Sequence, residues 1–410
     1  MSQWIHMAGR NVWRNGRRSM FLAGTVAIGT MALLLFVAYI AATAEGLKES
    51  IVRGGTGHLQ IGKIGQFDGY EEEQLQFGLS PQERDEVQRV LANDRRVRRV
   101  VPRLAFGGLV SNGQRTLTFQ GTGTDPNKER QAFGIFQNIK AGEALQGGDD
   151  AAYNAVLGQE MARRLGVKPG DTVTLMTSTV FGSINAIDVT VAGITATGNP
   201  ESDLYVLQVP LAAAQDLLRT KKVSRLVVLL KETADTAPVQ ESLKAALSGK
   251  AEVRDWRTLV PIFEQVLTLY KNQFIVFGVI ICIVVFLGVS TMTLTNIFER
   301  SKEIGTMRAI GLAAAKIRVL FTIEGMMQGM IGVVLGLLLA GLFSWFVGAV
   351  GVTLPPPPGR NLGVPLRLLW VPQYAASIMI ALPIISTVAA LVISRRISRM
   401  PVVQALTDSH

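Results

Sequence analysis

The sequence predicts a membrane protein with four transmembrane α-helices in a one-plus-three layout and a large α+β extracytoplasmic domain between helices 1 and 2. Three observations predict it. Four stretches of the 410-residue chain, Ser19 to Ala44, Asn272 to Phe298, Gly325 to Gly359 and Leu368 to Ser394, carry almost no charge and are each long enough to cross a bilayer. The stretch between the first and second is long enough to bury a core of its own. The Lys and Arg residues that flank the four gather on one side.

A spanning helix takes about 20 apolar residues, which places the helices over 20–42, 273–295, 322–349 and 373–394. Pro355-Pro356-Pro357-Pro358 must end the third helix, and this run forms a stiff polyproline II spacer in an outer loop over 350–372. In short flanks Lys and Arg prefer the cytoplasm. Arg10, Arg14, Arg17 and Arg18 precede the first helix, Arg300, Lys302, Arg308, Lys316 and Arg318 separate the second from the third, and Arg395, Arg396 and Arg399 follow the fourth. Only Arg360 and Arg367 lie in the opposite loop. The expectation is therefore a cytoplasmic N-terminus (1–19), a cytoplasmic loop (296–321), a cytoplasmic tail (395–410) and a periplasmic domain over 43–272. Ala42-Thr43-Ala44 resembles a signal-cleavage site, but the apolar stretch before it exceeds the about 7–15 residues of a cleavable signal. It is expected to remain as an anchor.

Composition narrows the chemistry. The net charge is +10 and mean hydropathy is positive, yet only 18% of residues are charged, below the roughly 25% of soluble chains. This argues against a nucleic-acid binder. Cys282 is the single cysteine and His6, His58 and His410 the only histidines, so a disulfide, a Cys-based metal site or a His-based triad lacks material. Gly62-Lys63 and Gly249-Lys250 are followed by Ile64 and Ala251, so neither ends a phosphate-cradling loop. The chain is expected to be no enzyme and to bind no cofactor or metal itself.

In the extracytoplasmic segment, Ser80-Pro81 is an N-cap with proline at the first helical position, opening a helix to about Leu91. Extended segments are expected at Val97–Val110, Arg115–Gly121, Thr172–Met176, Ile184–Ile194, Leu204–Val209 and Leu226–Leu230. Val156–Leu165 reads as a strand or turn entering a helix that stops at Gly166, and further helices are expected at Leu211–Leu218 and Ala237–Leu247. Glu71-Glu72-Glu73, Asp149-Asp150 and the run Arg95 to Arg99 read as solvated faces or loops, and His58 as a strand-end surface residue. The segment Thr177–Asn185 joins two strands, and Val180, Phe181 and Ile184 near its Gly182 turn are candidates for a docking hairpin. The bland reading packs that tip back onto its own domain.

The most informative stretch follows the second helix. In Asn296-Ile297-Phe298-Glu299-Arg300-Ser301-Lys302-Glu303-Ile304-Gly305-Thr306-Met307-Arg308-Ala309-Ile310-Gly311, the residues Ile304, Met307 and Ile310 are expected to form one apolar stripe of a short helix along the membrane surface. Glu324 is expected in the first turn of the third helix, in a boundary or capping role helped by the helix dipole. Gly325-x-x-x-Gly329 and Gly332-x-x-x-Gly336 offer a smooth face to another helix, of the same chain or of a second copy.

This region resembles the FtsX-like permease superfamily of ABC transporters, which includes lipoprotein-releasing and macrolide-exporter permeases. The resemblance rests on Asn296, Glu299-Arg300, Glu303-Ile304-Gly305, Arg308-Ala309-Ile310-Gly311 and Glu324. It extends to Trp13-Arg14-Asn15 with Arg17-Arg18, to Leu157-Gly158 and Leu165-Gly166-Val167-Lys168-Pro169-Gly170-Asp171, to Asp255-Trp256, and to the closing Arg395-Arg396 through Leu406. Gln404 stands where the family usually has Glu. The resemblance implies a loop that rests in a groove of a cytoplasmic ABC ATPase dimer, with ATP and Mg bound by that partner. Coupling would fall to Glu299, Arg300, Lys302, Glu303, Ile304, Gly305, Met307, Arg308, Ala309, Ile310 and Gly311. It implies a bacterial inner-membrane protein with a second permease, identical or homologous, contact with membrane lipids and a periplasmic carrier. Relatives take lipid chains between their first two helices, which makes Met31, Leu35, Tyr39, Phe274, Phe277 and Ile281 a candidate lining. Lipoprotein release by mechanotransmission is the expected activity; a non-transporting relay to a periplasmic cell-wall hydrolase is the alternative.

Overall fold

Two helices open the chain, α1 over Ser2–Arg14 and α2 over Gly16–Ile51. The computed structural model describes residues 2–14, 16–67, 78–134, 138–148, 151–354, 364–365 and 368–395. Glu71 to Glu73, Asp149-Asp150, the four-proline run, Arg360, Arg367 and the closing pattern after Arg395 lie outside the described residues. The chain forms two units, Met1–Glu45 with Gln265–Leu354 and Pro365–His410, and Gly46–Glu264 with Pro355–Val364.

In the second unit α2 passes into a π-helical turn, Val52–Thr56. There follow β1 (Leu59–Gly62), α3 (Pro81–Ala92), β2 (Val97–Ser111), β3 (Thr116–Thr124), α4 (Pro126–Phe133), β4 (Ile139–Gly142), β5 (Asn154–Gly158), α5 (Gln159–Leu165), β6 (Thr172–Ser178) and β7 (Ile184–Thr195). Then come α6 (Pro200–Asp203), β8 (Val206–Pro210), α7 (Leu211–Leu218), β9 (Arg225–Leu230), α8 (Thr236–Ala246), β10 (Glu252–Asp255) and α9 (Trp256–Leu259). Local chemistry sets the ends. Ser80 and Glu83 cap α3 reciprocally, and Gly166 ends α5 at φ 75, a left-handed conformation that favours glycine.

One ten-stranded sheet runs β10-β1-β9-β2-β3-β8-β5-β7-β4, with β6 pairing β2 and β7. The long β2 ties its halves together, pairing β9 through Val97–Arg103 and β3 through Arg103–Ser111. Each half has its own core. Met161 and Leu165 of α5 and Leu217 of α7 pack with Leu157, Leu175, Val191 and Leu207 on one half; Leu91 of α3 and Leu243 of α8 pack with Leu59, Ile61 and Val228 on the other. His58 is buried, which corrects the surface reading. Its Nδ1 accepts from Leu230 N–H at 3.1 Å and its Nε2 lies 3.1 Å from Thr233 Oγ1. Burial, then the charges of Arg53 and Lys48, bring its pKa down to about 4.

The first unit contains α10 (Ile262–Glu299, from Gln265 on), α11 (Ser301–Ala309), α12 (Ala314–Val350) and α13 (Pro372–Ser394) beside α1 and α2. Among the described residues four helices, α2, α10, α12 and α13, are long and apolar enough to cross a membrane. Val26, Leu33, Val285, Val289, Val333, Ala340, Leu382 and Ala389 form their shared core. Both glycine pairs of α12 are used within the chain. A Cβ at Gly325 or Gly329 would stand 2.4 Å from Ala390 Cβ or 2.8 Å from Ser386 Cβ of α13; at Gly332 or Gly336 it would meet Val26 or Thr30 of α2 at 2.6 or 2.5 Å. Ser386 Oγ also donates to Gly325 O at 2.9 Å. The glycines let three helices approach closely.

Candidate functional site

The expected short helix exists as α11, but its apolar residues do not form one stripe. Ile304 is buried against Ile297, Ile317 and Phe321, with Met307 half-buried beside them, whereas Ile310 is 79% exposed. A three-residue step falls about 60° short of a full helical turn, so two steps swing Ile310 to a different side. The helix also stops at Ala309, and Gly311 at φ 93 turns the chain. Ile304 and Gly305 face the neighbouring helices. Lys302, Thr306, Ala309 and Ile310 form the exposed face, with Glu303 at its edge.

Glu324 is not in a first turn. α12 begins at Ala314, taking in Lys316 and Arg318, because Ala313 adopts extended backbone and the helix starts behind it. Glu324 therefore lies more than two turns inside, only 4% exposed, where the helix dipole no longer helps. A carboxylate there needs a cation. Arg300, itself 9% exposed, supplies it, with Nη1 at 3.2 and 3.4 Å from the two Glu324 oxygens. Asn11 Nδ2 of α1 donates to Glu324 Oε1 at 2.8 Å.

Arg300 is thus turned inward, away from solvent. It sits between α10 and α11, donates through Nε to Glu303 Oε2 at 2.8 Å, and lies 5.3 Å from the Phe321 ring centroid. Glu303 also accepts from Arg14 Nη2 at 3.1 Å. The hydrogen bond from Arg300, with Arg14 adding to it, holds the Glu303 carboxyl below its usual range. One connected set of polar contacts joins α1, the end of α10, α11 and α12. Glu299 is exposed and Arg308 half-buried.

Beside this set lies a cavity of about 200 Å³ lined by Asn11, Ser19, Asn296, Glu324 and Gln328. Gln328 Nε2 donates to Ser19 Oγ at 3.1 Å. Asn296 Oδ1 is buried with no donor among the described residues. Asn11 escaped the sequence reading, which took 1–19 as a charged flank. The signal was present as a polar residue among Ala8 and Val12 on one face of an amphipathic helix.

The other candidates divide. Met31, Leu35, Phe274 and Ile281 pack, partly buried, against the core of the long helices, and Tyr39 is half-buried. Phe36, which the sequence reading passed over, stacks on Phe274 at 6.3 Å and tilts onto Phe277 at 4.9 Å. On a further side of α10, Phe274, Gly278, Cys282 and Phe286 with Ile385 line an open apolar groove of about 470 Å³. At the β6–β7 hairpin, Phe181 and Ile184 are 82% and 83% exposed, so they are not packed back onto their domain. Val180 is half-buried and its N–H donates to Leu218 O at 3.2 Å, while Asn185 Nδ2 reaches Leu217 O at 2.9 Å. The tip is apolar and its base is held by α7. No group of metal-ligating side chains occurs among the described residues.

Comparison with known proteins adds the following. The MacB-like periplasmic core domain matches residues 19–246 and the FtsX-like permease C-terminal domain residues 275–402. The lipoprotein-releasing system transmembrane protein LolC of Xylella fastidiosa is 25% identical over 263 residues, covering 62% of this chain and 62% of that protein. LolC of Neisseria meningitidis serogroup B is 25% identical over 354 residues, covering 82% and 80%. The macrolide export ATP-binding/permease protein MacB of Agrobacterium fabrum is 24% identical over 357 residues, covering 83% of this chain and 52% of that one. The alignment therefore spans less than two thirds of the first relative and about half of the last.

Proposed function

The chain belongs to the FtsX-like permease family and carries a MacB-like periplasmic core domain, and from that premise we propose that it is a permease subunit that couples a separate cytoplasmic ATPase to release of lipoproteins from the inner membrane. The carrying observation is α11, a short helix between two long apolar ones. It is seated through Ile304 and the Arg300–Glu324 pair and presents Lys302, Thr306, Ala309 and Ile310 outward. That exposed face is the contact for the ATPase dimer, which binds ATP and Mg. Arg300 and Glu303 act behind it, tying α11 to α1 and α12 so that a push on the helix is passed to both.

In this reading the four apolar helices span the inner membrane in a one-plus-three layout. Both termini are cytoplasmic, as the basic flanks favour. The apolar face of α10 that includes Ile275, Val279, Ile283 and Leu287, exposed in the single chain, meets lipid or a second permease. The apolar groove beside Phe274 and Phe286 takes acyl chain, and the tip at Phe181 and Ile184 meets a periplasmic carrier. The relatives named for lipoprotein release, alignable over most of this chain in the Neisseria protein, support that substrate class.

The test is reconstitution of the chain with its ATPase and second permease in proteoliposomes loaded with a lipoprotein. ATP-dependent transfer of lipoprotein to a soluble carrier is expected, together with loss of both transfer and ATPase stimulation in Ile310→Asp. A chain that instead co-purifies with a stoichiometric periplasmic hydrolase, and transfers nothing, would overturn the release activity in favour of a relay.

A further inference from the structure

A helix leaves its last carbonyls without intrahelical partners. In the turn that follows α2, side chains of the sheet bind two such carbonyls. The π-helical turn Val52–Thr56 bends through Gly55 at φ 134, and Gly57 N–H donates to Val52 O at 2.9 Å. Gly55 O accepts from Arg103 Nη1 of β2 at 2.5 Å. Thr56 O accepts from Gln60 Nε2 of β1 at 2.8 Å, and Gln60 Oε1 accepts from Arg225 Nη1 of β9 at 3.2 Å.

Arg103 is itself held on every side. Its Nη2 and Nε donate to the two Glu129 oxygens of α4 at 2.6 and 3.2 Å, Thr124 Oγ1 donates to Glu129 Oε2 at 2.7 Å, and the guanidinium lies 4.9 Å from the Phe133 centroid. The planar fork of arginine serves the carboxylate and the carbonyl together, which a lysine ammonium cannot do in that geometry. Beyond the turn, β1 pairs with β10 at Leu59 and Asp255, and Trp256 N–H donates to His58 O at 3.1 Å. The strand that leaves α2 is thus the neighbour of the strand that leads to α10.

We infer that Arg103 is a positioning residue for the transport stroke: it pins the turn at the end of α2 to β2 and α4, so that displacement of that turn passes into the sheet instead of being absorbed at Gly55. Glycine at a positive φ is the place where the chain would otherwise hinge. The source of the displacement rests on the permease reading; the pinning does not.

Hydrogen–deuterium exchange on the full chain in lipid nanodiscs tests the pinning. In Arg103→Lys the amides over 52–58 are expected to exchange at least tenfold faster, with α3 and α8 unchanged. Glu129→Gln, which keeps the shape of the pair, is expected to give about a threefold rise confined to the same stretch and serves if the first variant fails to fold. Unchanged exchange over 52–58, or an equal rise across α3 and α8, overturns the inference, since a merely structural pair would loosen the whole unit or nothing. In the reconstituted complex Glu129→Gln should keep ATP hydrolysis within twofold of wild type while ATP-driven release falls at least tenfold; undiminished release overturns the stroke role. A wild-type chain without ATP-driven release overturns the permease reading and leaves the exchange result to decide the pinning.

Discussion

Each unit contains an arginine paired with a buried glutamate and braced by a phenylalanine, and the two pairs are committed differently. Arg103 gives a bidentate grip to Glu129 alone and turns a third N–H, on Nη1, to a backbone carbonyl. Arg300 divides itself between Glu324, at 3.2 and 3.4 Å, and Glu303, at 2.8 Å, on two different helices. The first arrangement has one geometry. The second has two acceptors for one cation, so α11 and α12 can shift against each other while Arg300 stays paired. In the proposed permease reading, the contrast suits a fixed joint where α2 meets the sheet and a compliant one at the helix offered to an ATPase.

That contrast predicts unequal costs for equal deletions. Glu129→Ala leaves the half-buried Arg103 with no carboxylate and should cost about 3 kcal/mol, the lower end of the range for a broken buried pair. Glu324→Ala leaves Arg300 its second partner and should cost about 1–3 kcal/mol, as for one lost charged hydrogen-bond partner. Urea-dependent proteolysis of the full chain, read separately in each unit, measures both, and equal losses would erase the distinction. Gly332→Leu should also cost about 1–3 kcal/mol by overpacking, because its Cβ would meet Ala23 O at 2.7 Å and Val26 Cβ at 2.6 Å. It should lower the thermal midpoint of the helical unit and leave the sheet unit alone.

A smaller effect sharpens the comparison from the side of the sheet. His58 binds a proton only near pH 4 in the folded chain, against 6.5 for the free side chain. The unfolded state therefore binds more protons between those values, and stability falls as pH drops from about 6.5 to about 4 and is flat above. Protonation of Nδ1 would also set a donor against Leu230 N–H. Protection factors over β1 and β9, corrected for intrinsic exchange at each pH, should fall in wild type from pH 7 to 4, and His58→Gln should flatten that part of the profile. Ile310→Asp should be the mildest for stability, within about 0.5 kcal/mol as for exposed sites, while abolishing ATPase stimulation. A large loss of stability would place Ile310 in the core instead of on a docking face.

How much of this was legible in sequence depended on distance along the chain. α7 is observed over Leu211–Leu218 as expected, and α3 follows its Ser80-Pro81 cap, because caps and apolar periodicity are local. The small-residue stripe of α12 was visible, but its partners in α2 and α13 were not, since a glycine pair says that something comes close and not what. Arg300 and Glu324 were both noticed, but not as partners, and Glu324 was expected in a first turn. The helix boundary at Ala314 moved Glu324 inward, and only the fold brings the residues together. Arg103 was missed altogether: its partners Glu129 and Gly55 are remote in sequence, and nothing in the period of β2 marks it. A lone acid inside an apolar helix was the signal that pointed to Glu324, but Arg308 and Arg318 lie nearer to it in sequence than Arg300, so its partner was not legible.

In the proposed mechanism, motion enters through Arg300 and Glu324 and leaves through Arg103 and Glu129. ATP hydrolysis and lipoprotein release measured side by side in the reconstituted complex for Glu324→Gln and Glu129→Gln test it most directly. Glu324→Gln is expected to lose stimulation and release together, whereas Glu129→Gln is expected to keep hydrolysis and lose release. Identical behaviour of the two variants would contradict it.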